Sequence, residues 1–214
     1  MKLGEIKAEA LYLCFATPEL CIDTEDSEAL CQALGSLKYE SDYSDYLNAS
    51  VGAINRCLAY IELKGLAPER VARIPYDPKD LRDGVAVIKL NSLIEDFDTL
   101  VSVTEEGGGL ISYVEYARTG DEIRLLPPVK GDCYVVTYRP KVKRITHATP
   151  EDYDIPLPRS ICELIPYFVK GDIMRMDDPE EAEKSAEIFY KLSCEPKDRD
   201  DTAITQVRTV YGMV

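Results

Sequence analysis

Leu157-Pro158-Arg159-Ser160-Ile161-Cys162-Glu163-Leu164-Ile165-Pro166-Tyr167-Phe168-Val169-Lys170-Gly171-Asp172 is followed closely by Met176-Asp177-Asp178-Pro179-Glu180-Glu181-Ala182. The first block predicts a helix opened by Pro158 as its first residue, with Ile161, Leu164, Ile165, Phe168 and Val169 on one apolar face. Pro166 falls inside it, removes a hydrogen bond to the Cys162 carbonyl and predicts a bend. The second block carries a helix start: Asp178 as cap, Pro179 at the first position, and Glu181 placed to complete a capping box. Ala182, Ala186, Phe189 and Leu192 continue it at helical spacing, and the two alanines allow close approach to a neighbouring helix. Nothing in this region has the look of an active site; it reads as a packing unit.

Working outward, the N-terminal part is helical too. Leu3, Ile6, Ala10 and Leu13 recur on one helical face until Thr17-Pro18. A weaker helix is predicted from Asp26 to Leu34, ended by Gly35, and a polar linker from Tyr39 to Ser44. Leu47, Val51, Ile54, Leu58 and Ile61 make a continuous apolar stripe stopped by Lys64-Gly65, with Arg56, Glu62 and Lys64 off the stripe.

From Arg70 the period changes to that of strands. Val85–Leu90, Leu110–Tyr116, Glu122–Leu126 and Cys133–Tyr138 are short, β-rich and bounded by turns, and 70–76 and 97–103 add two more. The last three read as an antiparallel meander. The expected fold class is therefore α+β: a helical bundle core with an inserted small antiparallel β-sandwich or barrel. The expected units are a discontinuous helical core of 1–67 and 150–200, an inserted β-domain of 68–149, and an extended tail of 201–214. In that tail Ile204, Val207, Val210 and Tyr211 are β-branched or aromatic, and a segment this apolar calls for a cover.

Composition narrows the function classes. The 214 residues are 45% apolar and carry a formal charge of −14, which disfavours direct nucleic-acid recognition. Fourteen tyrosines without a tryptophan suit either an interface or strand and rim positions. Seven cysteines at irregular spacing, with no CxxC, read as reduced core residues of a cytosolic product. With His147 as the only histidine, no zinc site is expected. The first residues do not read as a signal peptide, and no apolar run approaches the ~18 residues that span a bilayer.

Candidate chemistry is sparse. Asp77-Pro78-Lys79-Asp80 and Glu95-Asp96-Phe97-Asp98 place carboxylates together but read as solvated loops. His147, between threonines, reads as a surface residue. Gly107-Gly108-Gly109 follows two glutamates and precedes a strand, so it is a hairpin tip, not a phosphate cradle. Arg139, Lys141, Lys143 and Arg144 form the one basic run, which suits contact with the acidic flank of a neighbouring copy or a plain solvated linker. No cofactor, metal or catalytic residue is expected.

Ile155-Pro156-Leu157-Pro158, Glu163 to Val169, Asp177 to Ala182 and Ile188-Phe189-Tyr190 resemble the head–tail adaptor (connector, or tail tubular) proteins of tailed bacteriophages. The helices 1–16 and 46–66 and the layout of a helical core with a β-insertion are similar in kind. The resemblance implies a structural virion protein of the neck, made in the host bacterial cytoplasm. It implies a closed ring, typically of about twelve copies, beneath the portal. The implied partners are the portal protein, the tail or next neck protein, and other copies of the chain. Genomic DNA would pass through the channel without sequence-specific binding, and no membrane is involved. It also implies a C-terminal segment that reaches into the portal or a neighbour, which suits Ile204, Val207, Val210 and Tyr211 as an added strand. A different reading is a ligand- or glycan-binding module, with Tyr113, Tyr116, Tyr134 and Tyr138 forming a shallow face on the β-insertion.

Overall fold

The structure, a computed structural model, describes residues 1–15, 27–38, 41–76, 81–82, 84–107, 110–126 and 133–194. The α+β class is as expected: helices flank a two-sheet unit inserted in the chain between them.

The N-terminal helices are α1 (Leu3–Phe15), α2 (Ser27–Leu37) and α3 (Ser41–Leu63). α1 buries two faces. Leu3, Ile6 and Ala10 enter the main helical core, while Ala8 and Leu11 meet Leu34 and Leu47 in a smaller cluster. That smaller cluster accounts for two departures from expectation. α2 does not stop at Gly35 but runs on to Leu37, because Leu37 packs on the cluster and outweighs the ~1 kcal/mol helix cost of a glycine. α3 begins at Ser41, inside the expected linker, because Tyr43 and Tyr46 lie edge-on to Phe15 at ring-centroid distances of 5.2 and 4.8 Å. The stop at the other end is where the sequence puts it. Gly65 has φ +64°, its N–H reaches the Glu62 carbonyl and the Leu66 N–H reaches that of Ile61, a Schellman closure.

Eight strands follow: β1 (Arg70–Pro75), β2 (Leu81–Arg82), β3 (Val85–Lys89), β4 (Phe97–Gly107), β5 (Leu110–Tyr113), β6 (Tyr116–Thr119), β7 (Glu122–Leu125) and β8 (Cys133–Pro140), with a short helix α4 (Leu90–Leu93) after β3. They form two antiparallel four-stranded sheets, ordered β1-β8-β4-β5 and β2-β3-β7-β6. Both sheets contribute to one core, with Ile74, Leu100, Val136 and Tyr138 from the first and Ala86, Ile88, Ile123 and Leu125 from the second. This is the sandwich alternative; no closed barrel forms among the described residues.

The expected meander is wrong. The predicted strand 110–116 breaks at Val114-Glu115 and changes sheets, while β7 pairs with β3 and β6, and β8 returns to the first sheet between β1 and β4. Alternation marks which segments are strands; it carries no information about partners far away in the chain. Gly120 (φ +64°) closes the β6–β7 hairpin and Gly84 (φ +81°) the β2–β3 hairpin.

The chain re-enters the helical unit earlier than the expected boundary at 149. Val142, Ile145 and Ile155 already belong to the helical core, beside Ala67, Ile54, Leu58 and Ile61. The single helix predicted from Pro158 is two. α5 (Arg159–Cys162) has Pro158 as its cap, not its first residue, and α6 (Ile165–Ile173) starts afresh with Pro166 in its first turn. A new start satisfies a proline lacking its N–H better than a bend does. α7 (Pro179–Cys194) is capped as expected: the Glu181 N–H donates to Asp178 Oδ1 at 3.1 Å. The capping box is not completed, because Glu181 turns its carboxylate to Lys170 and Lys184. The alanines do allow close approach. A Cβ on Gly171 of α6 would lie 3.0 Å from the Ala182 carbonyl oxygen and 3.2 Å from the Ala186 Cβ.

Replacing Gly171 therefore wedges α6 from α7. Gly171→Val is expected to lower stability by about 1–3 kcal/mol, with Gly171→Ala falling between it and wild type. Thermal or urea unfolding measures this, and equal stability of the valine variant would mean the two helices do not meet at this point.

Candidate functional site

Three of the thiols are held in ways that disfavour reaction. Burial pushes the Cys14 thiol up to about 11, and burial, assisted by its neighbour Cys162, pushes Cys57 up as well. Cys162 itself is raised, first by burial. A nucleophilic cysteine needs the opposite shift. His147 is exposed in the segment after β8, as expected. Asp96 is a clamp: it pairs with Arg70 and accepts from the Tyr138 hydroxyl at 2.9 Å, while its backbone carbonyl accepts from the Lys141 N–H. Gly107 opposes Leu110 across a hairpin, as read from the sequence. Residues 77–80 and 108–109 lie outside the described residues. Among those residues no three His, Cys, Asp or Glu side chains gather as a metal site would require, and no helix is long and apolar enough to cross a membrane.

The basic run is divided. Arg139 pairs with Glu69 at 3.4 Å and packs over Gly65, so it ties β8 to the end of α3. Arg144 pairs with Glu62 of α3 and donates to the Val142 carbonyl. Lys143 lies over the Tyr153 ring at 5.8 Å, and Lys141 is exposed. Two of the four cations thus fasten the returning chain to α3 from within the molecule.

The four tyrosines do not make one face. Tyr134 and Tyr138 share a side of β8, as predicted, but it is the inner side: they are 1% and 6% exposed. Burial raises the Tyr134 phenol to about 12, and its hydroxyl donates to the Leu126 carbonyl. Tyr113 and Tyr116 are exposed at the opposite corner, where the chain changes sheets. The shallow tyrosine face of the ligand-binding reading is absent.

The structure assembles three surfaces that spacing did not reveal. The first is the distal end of α7. Its buried stripe is Ala182, Ser185, Phe189 and Ser193. At 100° per residue, Ile188 and Leu192 share one flank of that stripe and Tyr190 the other, and all three are partly exposed. Tyr190 meets Tyr60 of α3 at 5.3 Å, near Leu63, which is 83% exposed. The second is a groove lined by Glu5, Glu9, Asp154, Arg159, Glu163 and Tyr167. Its lining runs from Met1 to Tyr167, so no local motif announces it. The third is a cleft of about 350 Å³ between β1 and β3, floored by Ile74, Ile88 and Tyr134 and rimmed by Lys89 and Glu122. The tail residues Ile204, Val207, Val210 and Tyr211 lie outside the described residues.

No family model matches the chain, and no curated protein sequence matches it.

Glu9 supplies a pH test of the groove. Burial first, then the charges of Glu163 and Glu5, raise its carboxyl above the ordinary value of 4.5. A carboxyl raised in the folded state binds its proton more tightly there than in the unfolded chain, so ionising it lowers stability as pH rises from that value upward. Glu9→Gln is expected to be more stable than wild type at pH 7. The gain should vanish below pH ~4, where both states hold the proton. Urea unfolding across pH reads this out; no gain at neutral pH would mean the three carboxylates do not share the groove.

Proposed function

We propose that the chain is a structural virion protein, a head–tail adaptor that closes into a ring beneath the portal of a tailed bacteriophage. In this reading the ring extends the DNA channel and offers the tail its attachment surface. Its partners are the portal protein, the tail or next neck protein and other copies of itself. Its place is the neck of the virion, and it performs no catalysis.

The observation that supports this reading best is the distal half of α7. A closed ring needs two unlike surfaces on each copy, one meeting the other on the next. α7 has its core stripe buried and apolar side chains left over on both flanks: Ile188 and Leu192 on one, Tyr190 with Tyr60 of α3 on the other. Isolated exposed apolar residues are ordinary on any surface. Two groups on opposite flanks of one helix fit head-to-tail contact. The sequence likeness of 155–169, 177–182 and 188–190 to the adaptor proteins covers the same helices.

Two variants test it. Leu192→Asp breaks one flank and Tyr190→Asp the other. Each alone is expected to block ring closure on the cognate portal, seen by negative-stain microscopy, while leaving thermal unfolding within a few degrees of wild type. Mixed together, they are expected to form heterodimers, because one intact interface remains between them. Wild-type protein that stays monomeric in the presence of the portal, and shows no ring in the mature particle, would overturn the proposal.

A further inference from the structure

We propose that α7 of one copy lays its Ile188 and Leu192 flank against Tyr190 and Tyr60 of the next, with charge deciding which flank meets which. The inference rests on the ring reading above and specifies how one copy recognises its neighbour.

The charged residues of α7 are sorted by side. At 100° per residue, Lys184 and then Lys191 stand between Ile188 and the outermost line of the helix, and Glu183 and then Glu187 stand between Tyr190 and that line. Glu180 lies on the line itself. One flank is therefore apolar with a basic border, and the other aromatic with an acidic border. Glu181 falls between Ile188 and Leu192 but is bonded to Lys170 and Lys184, so its charge is already matched. Lys184 is held at 3.2 Å by Glu180 and at 3.0 Å by Glu181. Lys191, Glu183 and Glu187 are exposed and enter no ion pair among the described residues. Glu187 precedes Lys191 by four residues, an order that favours a bond along the helix, yet the two form no pair. Lys64 lies over the Tyr60 ring at 5.7 Å, and the two glutamates of that side outnumber it.

The occupant of each flank follows from this sorting and from height. Unlike borders attract, so the basic flank of one copy fits the acidic flank of another. Like flanks would set lysine against lysine or glutamate against glutamate. Tyr190 lies about 180° round the helix from the midpoint of Ile188 and Leu192, and it is also midway between them along the axis. With α7 along the ring axis, the next copy then follows by rotation without a rise, whereas a rise would give an open filament. Glu187 and Lys191 differ by about 6 Å along the axis. A lysine side chain covers that offset, as it does at the bordering positions of parallel coiled coils, where such pairs select the partner.

The test uses the full chain with its cognate portal and reads the concentration at which half the protein is in rings, by sedimentation and negative-stain microscopy. Glu187→Lys sets lysine against the neighbour's Lys191, and Lys191→Glu sets glutamate against its Glu187. Both positions are exposed, so thermal unfolding should stay within a few degrees of wild type. Each variant alone is expected to need at least about fivefold more protein to form rings. An equimolar mixture of the two is expected to regain the wild-type concentration, because rings of alternating copies oppose unlike charges at every contact. No pairing within a single helix gives that rescue. If rings form but either variant alone behaves as wild type, or both are weakened and their mixture stays weak, this inference falls and the ring reading stands. If wild-type protein forms no ring on the portal, both fall.

Discussion

One polar contact fixes how the two halves of the helical unit meet across the insertion, within a core that both share. Asn55 of α3 donates to the Ile145 carbonyl at 2.8 Å and accepts from the Ile145 N–H at 2.9 Å. These residues are 90 positions apart in sequence. Closing a loop of that length costs conformational entropy, and a loop that must itself fold adds more. A side-chain amide that satisfies both backbone groups of one residue fixes the register of the returning chain in a way that apolar contact alone does not. Around it Ile145, Val142 and Ile155 bury against Ile54, Leu58 and Ile61, so the polar clamp sits at the margin of a dry core.

The ion pairs share this logic. Arg139 with Glu69, Arg144 with Glu62, and Lys7 with Glu151 at 2.7 Å all join the returning segment, or the last strand before it, to the N-terminal half. Exposed pairs stabilise little on their own, typically ~0–1 kcal/mol each. Lys7 differs, because it is almost wholly buried and its partner is one of very few groups able to hold its charge there. In a chain with 39 acidic and 25 basic side chains, placing cations at the junction also prevents the carboxylates of α3 and of the loop from repelling one another.

The sequence makes some of this plain and hides the rest for identifiable reasons. The α3 stripe, the Gly65 stop and the Asp178 cap are local patterns, and all three stand where local chemistry puts them. Gly35, Ser41 and Pro166 mislead because contacts from elsewhere, or a fresh helix start, decide those boundaries. Strand segments are legible from alternation, whereas the interleaving of β7 and β8 into different sheets is not, since each pairs with strands drawn from distant parts of the chain. Tyr134 and Tyr138 show the same limit: their shared side of β8 is readable, and whether that side is wet depends on a second sheet. The groove around Glu9 is illegible altogether, because α1 and the start of α5 become neighbours only in the folded chain.

The division of labour between the two units follows from these contacts. The helical unit is tied across the insertion by Asn55, α6 and α7 meet closely at Gly171, and its core is continuous from α1 to α7. In the β-unit the chain passes between the sheets from β5 into β6, and a cleft lies where β1 and β3 face each other. Natural sheets usually guard their edges with charge, proline or short strands. Here Pro75 ends β1 and Lys89 ends β3, so a proline and a charge stand at the two strand ends that border the cleft.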